Sequence, residues 1–167
     1  FELLQREMRV TGGREHPYLS SHPLTNERIT TVESHLAFSR YANTPTPPEL
    51  ARKHAMMRAK LIGFLEPLPN TLKAYPPSDN SIPARYARAI GFYQQSDLNR
   101  AIPLIDGLIA DEPENQYFYE LKGQMLLENG RVQESLAPYQ RMVDLAPGEP
   151  LLRSALAKAQ VETGDPA

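Results

Sequence analysis

Residues 82–115 read IPARYARAIGFYQQSDLNRAIPLIDGLIADEPEN, and residues 116–149 read QYFYELKGQMLLENGRVQESLAPYQRMVDLAPGE. Laid one under the other, they keep step at 34 residues: Ala89 stands over Gly123, Ala101-Ile102 over Ser135-Leu136, and Pro113 over Pro147. One more step leads from Gly123 to Ala157 and from Gly130 to Gly164. Small residues recurring at fixed places predict antiparallel helices that approach too closely for a large side chain. Ala89, Gly123 and Ala157 take that place on first helices, and Ala101 and Ser135 on second ones. Phe92, Ile105, Leu126 and Tyr139 are then expected to fill the space between units, and Pro113 and Pro147 to end each second helix. The spacing predicts helices over 82–95 and 97–111, over 116–129 and 132–145, and a lone helix over 150–163.

A period of 34 with small residues, an aromatic and a closing proline at fixed offsets resembles the tetratricopeptide repeat (TPR). The resemblance implies an all-α fold, a superhelix of helix-turn-helix units over 82–115, 116–149 and a partial 150–167. Two departures stand out. Arg85 occupies the fourth position of the first unit, where an aromatic is usual, and Pro103 and Pro138 fall inside second helices. An interior proline costs about 3 kcal/mol, so those helices are expected to start late or to bend. Each unit buries its apolar face only against neighbours. The lone last helix is therefore expected to cap one end and a helix at 48–66 the other.

Upstream of the repeats, Asn43-Thr-Pro-Thr-Pro-Pro48 cannot continue a helix. Beyond it Leu50, His54, Met57, Leu61 and Leu65 recur every three or four residues with basic residues between, an amphipathic helix of about four turns. It fades at Glu66-Pro-Leu-Pro-Asn70, and Tyr75-Pro-Pro-Ser-Asp-Asn-Ser81 is turn-rich. Residues 1–41 hold a short helical stretch with Phe1, Leu4 and Met8 on one side, stopped by Gly12-Gly13. A second helix there carries Leu24, Ile29, Val32 and Leu36, with Ser21 or Thr25 as its cap. The expected organisation is 1–41, a linking region 42–81, and repeats over 82–167.

Composition narrows the function classes. The 167 residues carry 18 Lys+Arg against 20 Asp+Glu, a net charge of −2, which is no footprint for nucleic acid. Mean hydropathy is −0.47, and no apolar run is long enough to span a bilayer. The absence of cysteine removes disulfides, thiolate-held metals and thiol nucleophiles together. No HExxH helix, GxSxG turn or Walker loop is present, and none of His16, His22, His35 and His54 pair at i, i+4. The chain begins at Phe1 rather than Met, so it is expected to be a piece of a longer protein.

The repeat resemblance implies binding, in a concave groove lined by first helices. The matching positions are Tyr86, Ile90, Tyr93 and Gln94, then Tyr117, Glu120, Gln124 and Glu128, then Ser154, Lys158 and Glu162. Tyr86 and Tyr93, seven residues apart on one helix, are expected to be exposed aromatics suited to peptide contact. The stretch Ser20-Ser-His-Pro-Leu-Thr-Asn-Glu-Arg-Ile29 also resembles the closing motif of zinc metallopeptidases of the HtpX/BepA type. Arg58–Leu65, Pro83–Ile90 and Phe118–Gln124 look like the repeat-bearing bacterial members of that family. This resemblance implies that His22 is an active-site histidine of a parent enzyme and that Arg28 supports it. It also implies that the parent holds zinc and that the location is the bacterial envelope, the periplasm. Nothing in residues 1–21 supplies the zinc ligands, so the chain alone is expected to be inactive and free of cofactors. The expected partner is a protein or peptide held in the groove. The other reading is a non-enzymatic TPR adaptor. Residues 1–41, without the rest of their domain, are expected to expose Leu24, Ile29, Val32 and Leu36 and to pair two copies.

Overall fold

A computed structural model describes residues 25–164, with side chains from residue 28. The chain divides into two compact units, Phe1–Pro47 and Pro48–Ala167. Among the described residues there are helices and turns and no strand. The first unit contains α1 (Thr25–Phe38), on which Val32 and Leu36 are exposed. The expected helix at 1–8 and its Gly12-Gly13 stop lie outside the described residues, as do His16 and His22.

The second unit runs α2 (Pro48–Leu65), α3 (Leu68–Ala74), α4 (Ile82–Tyr93), α5 (Leu98–Asp111), α6 (Gln116–Glu128), α7 (Val132–Leu145) and α8 (Pro150–Thr163). Helices α4 to α8 fall where the 34-residue step places them. Side-chain caps set three of the starts. Ser81 Oγ accepts from the Ala84 amide at 3.4 Å, Asp97 from Arg100 at 3.1 Å, and Asn115 from Tyr117 at 3.2 Å. Gly130 and Gly164 both adopt the left-handed conformation, with φ of 77° and 76°, so the repeat step preserves the turn that leaves a first helix.

The small-residue positions do what the step implies within the pairs. Ala89, Ala101 and Ser135 are fully buried, and a Cβ on Gly123 would stand 2.7 Å from the Tyr139 ring. Two apolar clusters result. One gathers Tyr86, Ile90, Ile105, Leu108, Phe118 and Met125, and the other Leu127, Tyr139, Met142, Leu152 and Ala159. Ala157 is the exception: it is exposed, because among the described residues no second helix lies over α8.

Three further differences have physical reasons. Arg85 stands where an aromatic is usual, and its guanidinium pairs with Asp111 of α5 while its buried Nε has no hydrogen-bond partner among the described residues. Pro103 and Pro138 do not delay their helices: α5 and α7 run through them from Leu98 and Val132. Helix α2, expected to cap the repeats, lies in the same compact unit as they do. It lies on α4 through small residues, Ala59 and Gly63, and a Cβ on Gly63 would meet Ile90 Cβ at 2.8 Å and the Ala87 carbonyl at 2.9 Å. Met56 and Phe64 pack on the core beside these small residues, while Leu50, Met57, Leu61 and Leu65 are all exposed.

Between α3 and α4 the turn-rich stretch is fastened by Arg88. Its side chain is buried, and Nη1 donates to the carbonyls of Tyr75 at 3.3 Å, Pro76 at 2.7 Å and Asp79 at 2.8 Å. Burial draws the guanidinium below its ordinary range, an effect the nearby Asp79 carboxylate opposes.

Candidate functional site

The side chains expected to line the groove fall into three groups. Tyr86, Ile90 and Tyr93 of α4 are buried, not exposed, because α2 lies across them. Tyr86 packs on Phe118 with ring centroids 5.5 Å apart, and Tyr93 meets the edge of Phe64 at 6.4 Å. Both are core residues. Gln94 stays exposed at the end of α4, and its Nε2 donates to the Phe64 carbonyl at 3.2 Å.

The α6 residues are brought together. The Tyr93 hydroxyl donates to the Glu128 carboxylate, and Gln124 Nε2 donates to the other oxygen of Glu128 at 2.9 Å. Lys60 of α2 stands 3.9 Å from Glu120 and 5.9 Å over the ring of Tyr117, which is 53% exposed. On α8, Ser154, Lys158 and Glu162 are exposed, Lys158 and Glu162 lie 3.9 Å apart, and none of the three lines the pocket beside Tyr117. Arg28 is exposed on α1.

Beside Tyr117 opens a pocket of about 850 Å³. One wall is α2, with Arg52, Lys53, Met56, Met57 and Lys60; the other is the turn from α5 into α6, Glu112 to Tyr117; Tyr86 reaches it from between. Met56, Met57 and the tyrosine rings make an apolar floor. Charged groups make the rim: Arg52 pairs with Glu112 at one end, and Lys60 faces Glu120 at the other. Asn115 is held in place twice, donating to Glu112 at 3.0 Å and accepting from the Tyr117 amide. Exposed ion pairs contribute little net stability, roughly 0–1 kcal/mol, so a ligand carrying its own charges can exchange with them. An apolar side chain on the floor and polar backbone at the rim would both be satisfied.

Of the residues expected to line a groove, Tyr86 and Tyr117 line this pocket, and the α2 wall had no part in that expectation. Arg52 and Glu112 are sixty positions apart, and no local pattern joins them. The available signal was the cluster of basic residues on α2, which marks a charged face without saying what it faces. Among the described residues no group of three or more His, Asp or Glu is placed to hold a metal, and no helix is long and apolar enough to cross a membrane.

The buried tyrosines give a pH dependence. Desolvation, first of all, pushes Tyr139 up to about 12, and it pushes Tyr86 and Tyr93 higher still. In the unfolded chain these phenols ionise near 10. Above that pH the unfolded state has released protons that the folded state retains, so stability falls as pH rises. Each retained proton steepens the slope by about 1.4 kcal/mol per pH unit. Urea unfolding midpoints are expected to hold steady from pH 8 to 9.5 and to drop steeply between roughly 10 and 12. A flat profile there would show that the rings are hydrated.

A family model of the tetratricopeptide repeat matches residues 86–150. No curated protein and no solved structure matches the chain. The match begins within α4 and ends at the first residue of α8, so it spans nearly all of the two helix pairs that keep the 34-residue step, and repeats of this family suggest a protein partner.

Proposed function

We propose that residues 48–164 are a protein-docking module that takes an extended peptide segment in the pocket between α2 and the α5–α6 turn. The observation that carries this is the composition of the pocket: an apolar floor of Met56, Met57 and Tyr117 beneath a rim of ion pairs that a peptide's own polar groups can replace. The repeat match supports a protein partner in general. The peptide expected to fit carries one bulky apolar residue with charges on both sides.

The resemblance of residues 20–29 to zinc metallopeptidases supplies the setting we favour, in which this module is the recruiting end of a larger envelope peptidase and His22 belongs to its active site. The support for that setting is the order of His22, Pro23, Arg28 and Ile29 ahead of the repeats. Zinc belongs to the parent in this reading and not to the chain described. Pairing of two copies through Val32 and Leu36 of α1 belongs to the same reading, since both are exposed.

One experiment addresses both levels. Peptides selected on the chain from a random library are expected to lose roughly tenfold or more in affinity when Tyr117 is replaced by Ala, in line with loss of a central aromatic anchor. Lys60→Glu should weaken acidic peptides selectively. Binding that ignores both changes would remove the pocket from the reading. Cleavage of such a peptide by the full-length protein, abolished by chelation and by His22→Ala, is expected in the peptidase setting. A peptide that is bound but never cut would leave the adaptor.

A further inference from the structure

A surface helix in a folded unit keeps its apolar residues inward, and α2 does so only in part. Its inward side carries Met56 and Phe64, packed on the core, and the small residues Ala59 and Gly63, where Gly63 lets the helix come within contact of Ile90 and the Ala87 carbonyl. Its outward side carries Leu50, Met57, Leu61 and Leu65, between 50% and 75% exposed, with His54 exposed among them. Steps of four, three, four and four residues keep these five side chains on one line, which is the spacing of a helix–helix seam. The line is bordered on one side by Lys53, exposed and paired with Glu49 at 2.7 Å, and by Lys60, exposed and 3.9 Å from Glu120, and on the other by Arg58, which makes no ion pair among the described residues. Helix α2 holds four Lys and Arg against the single acid Glu49, in a chain whose net charge is −2.

We propose that this outward face of α2 docks an amphipathic helix of a partner protein, with acidic residues bordering that helix's apolar seam. The argument is one of fit and charge. A stripe one side chain wide matches one helix, whereas a helix lying on a bilayer presents a broad apolar face. A second copy of α2 would bring Lys53, Lys60 and Arg58 against their own counterparts, and like charges across a seam repel. An acidic border turns the same positions into attractive pairs. The surface shares an edge with the pocket at Lys53, Met57 and Lys60, but Leu61, Leu65 and Arg58 line the stripe alone, so the two sites can be tested apart.

The probes are two synthetic helices with the same Leu seam, one bordered by Glu and the other by Lys, titrated against the full chain by fluorescence anisotropy. The Glu-bordered helix is expected to bind at least about tenfold more tightly at low salt, and the difference should shrink at high salt. Leu61→Glu should abolish its binding and Arg58→Glu should weaken it. Both positions are exposed, so the thermal midpoint should stay put. Tyr117→Ala should change nothing here, which separates failure of this proposal from failure of the pocket. Equal binding of both probes, or binding of neither, overturns the proposal. Preferential binding to phosphatidylglycerol vesicles that Leu61→Glu removes overturns it in favour of a membrane. A dimer in sedimentation that Leu61→Glu dissociates overturns it in favour of a second copy.

Discussion

Replacing Arg88 by Met is expected to destabilise the chain by about 2–4 kcal/mol, the range for stripping a buried charged group's hydrogen bonds from partners that stay in place. The guanidinium gathers three carbonyls, those of Tyr75, Pro76 and Asp79, from a stretch with two prolines and no helix of its own. Those carbonyls have no regular ladder to return to. Methionine fills much of the same volume, so the change removes donors and leaves packing nearly intact. Arg88→Lys separates charge from geometry: it keeps the charge, but a shorter, tetrahedral ammonium replaces the planar nitrogen Nη1 that makes all three bonds. About half of the Met effect is expected to return. Amide exchange should localise the damage, with protection falling first over 75–81 and the opening turn of α4, while α6 and α7 stay protected. A uniform loss of protection would mean that Arg88 supports the whole unit. No loss of stability would mean that water replaces it at no cost.

How far the sequence carries the structure depends on where each residue finds its partner. Helices α4 to α8 were legible because each partner lies a fixed step away, so the small residue, the aromatic and the proline repeat together. Gly123 and Tyr139 illustrate it: they belong to one unit and meet within it. Helix α2 was legible as a helix but not in its orientation. Bulky apolar residues ordinarily mark the inner side, and here Leu50, Met57, Leu61 and Leu65 lie outside while Ala59 and Gly63 take the closest approach, with Met56 and Phe64 packed beside them. That inversion also hid the fate of Tyr86 and Tyr93. Their register on α4 is that of groove residues, but α2 closes over them. Helix α3 went unseen because Pro67 and Pro69 read as breakers, although proline is tolerated in a first turn. The pocket joins Arg52 to Glu112 and Lys60 to Glu120, pairs that depend on how α2 lies across the repeats and on nothing local.

The repeat register supplies its own control for the second large effect. Gly123 and Ala157 hold the same place on successive first helices, but only Gly123 has a second helix lying over it. Gly123→Leu would drive a side chain into the Tyr139 ring, against which even a Cβ stands 2.7 Å away. Leucine raises helix propensity by roughly 0.8 kcal/mol over glycine. Overpacking a filled core costs about 1–3 kcal/mol. Here the side chain also pries α6 from α7, so a net loss of about 3 kcal/mol is expected. Ala157→Leu places the same side chain in solvent, and its effect is expected to stay within about 0.5 kcal/mol. Denaturant unfolding of the two variants side by side reads the difference directly. Tyr139→Ala should restore part of what Gly123→Leu removes, because it clears the ring from the path. If Ala157→Leu were as damaging as Gly123→Leu, α8 would be covered in solution by something that takes the place of α7. If neither were damaging, the close approach of α6 and α7 would not be a feature of the folded chain.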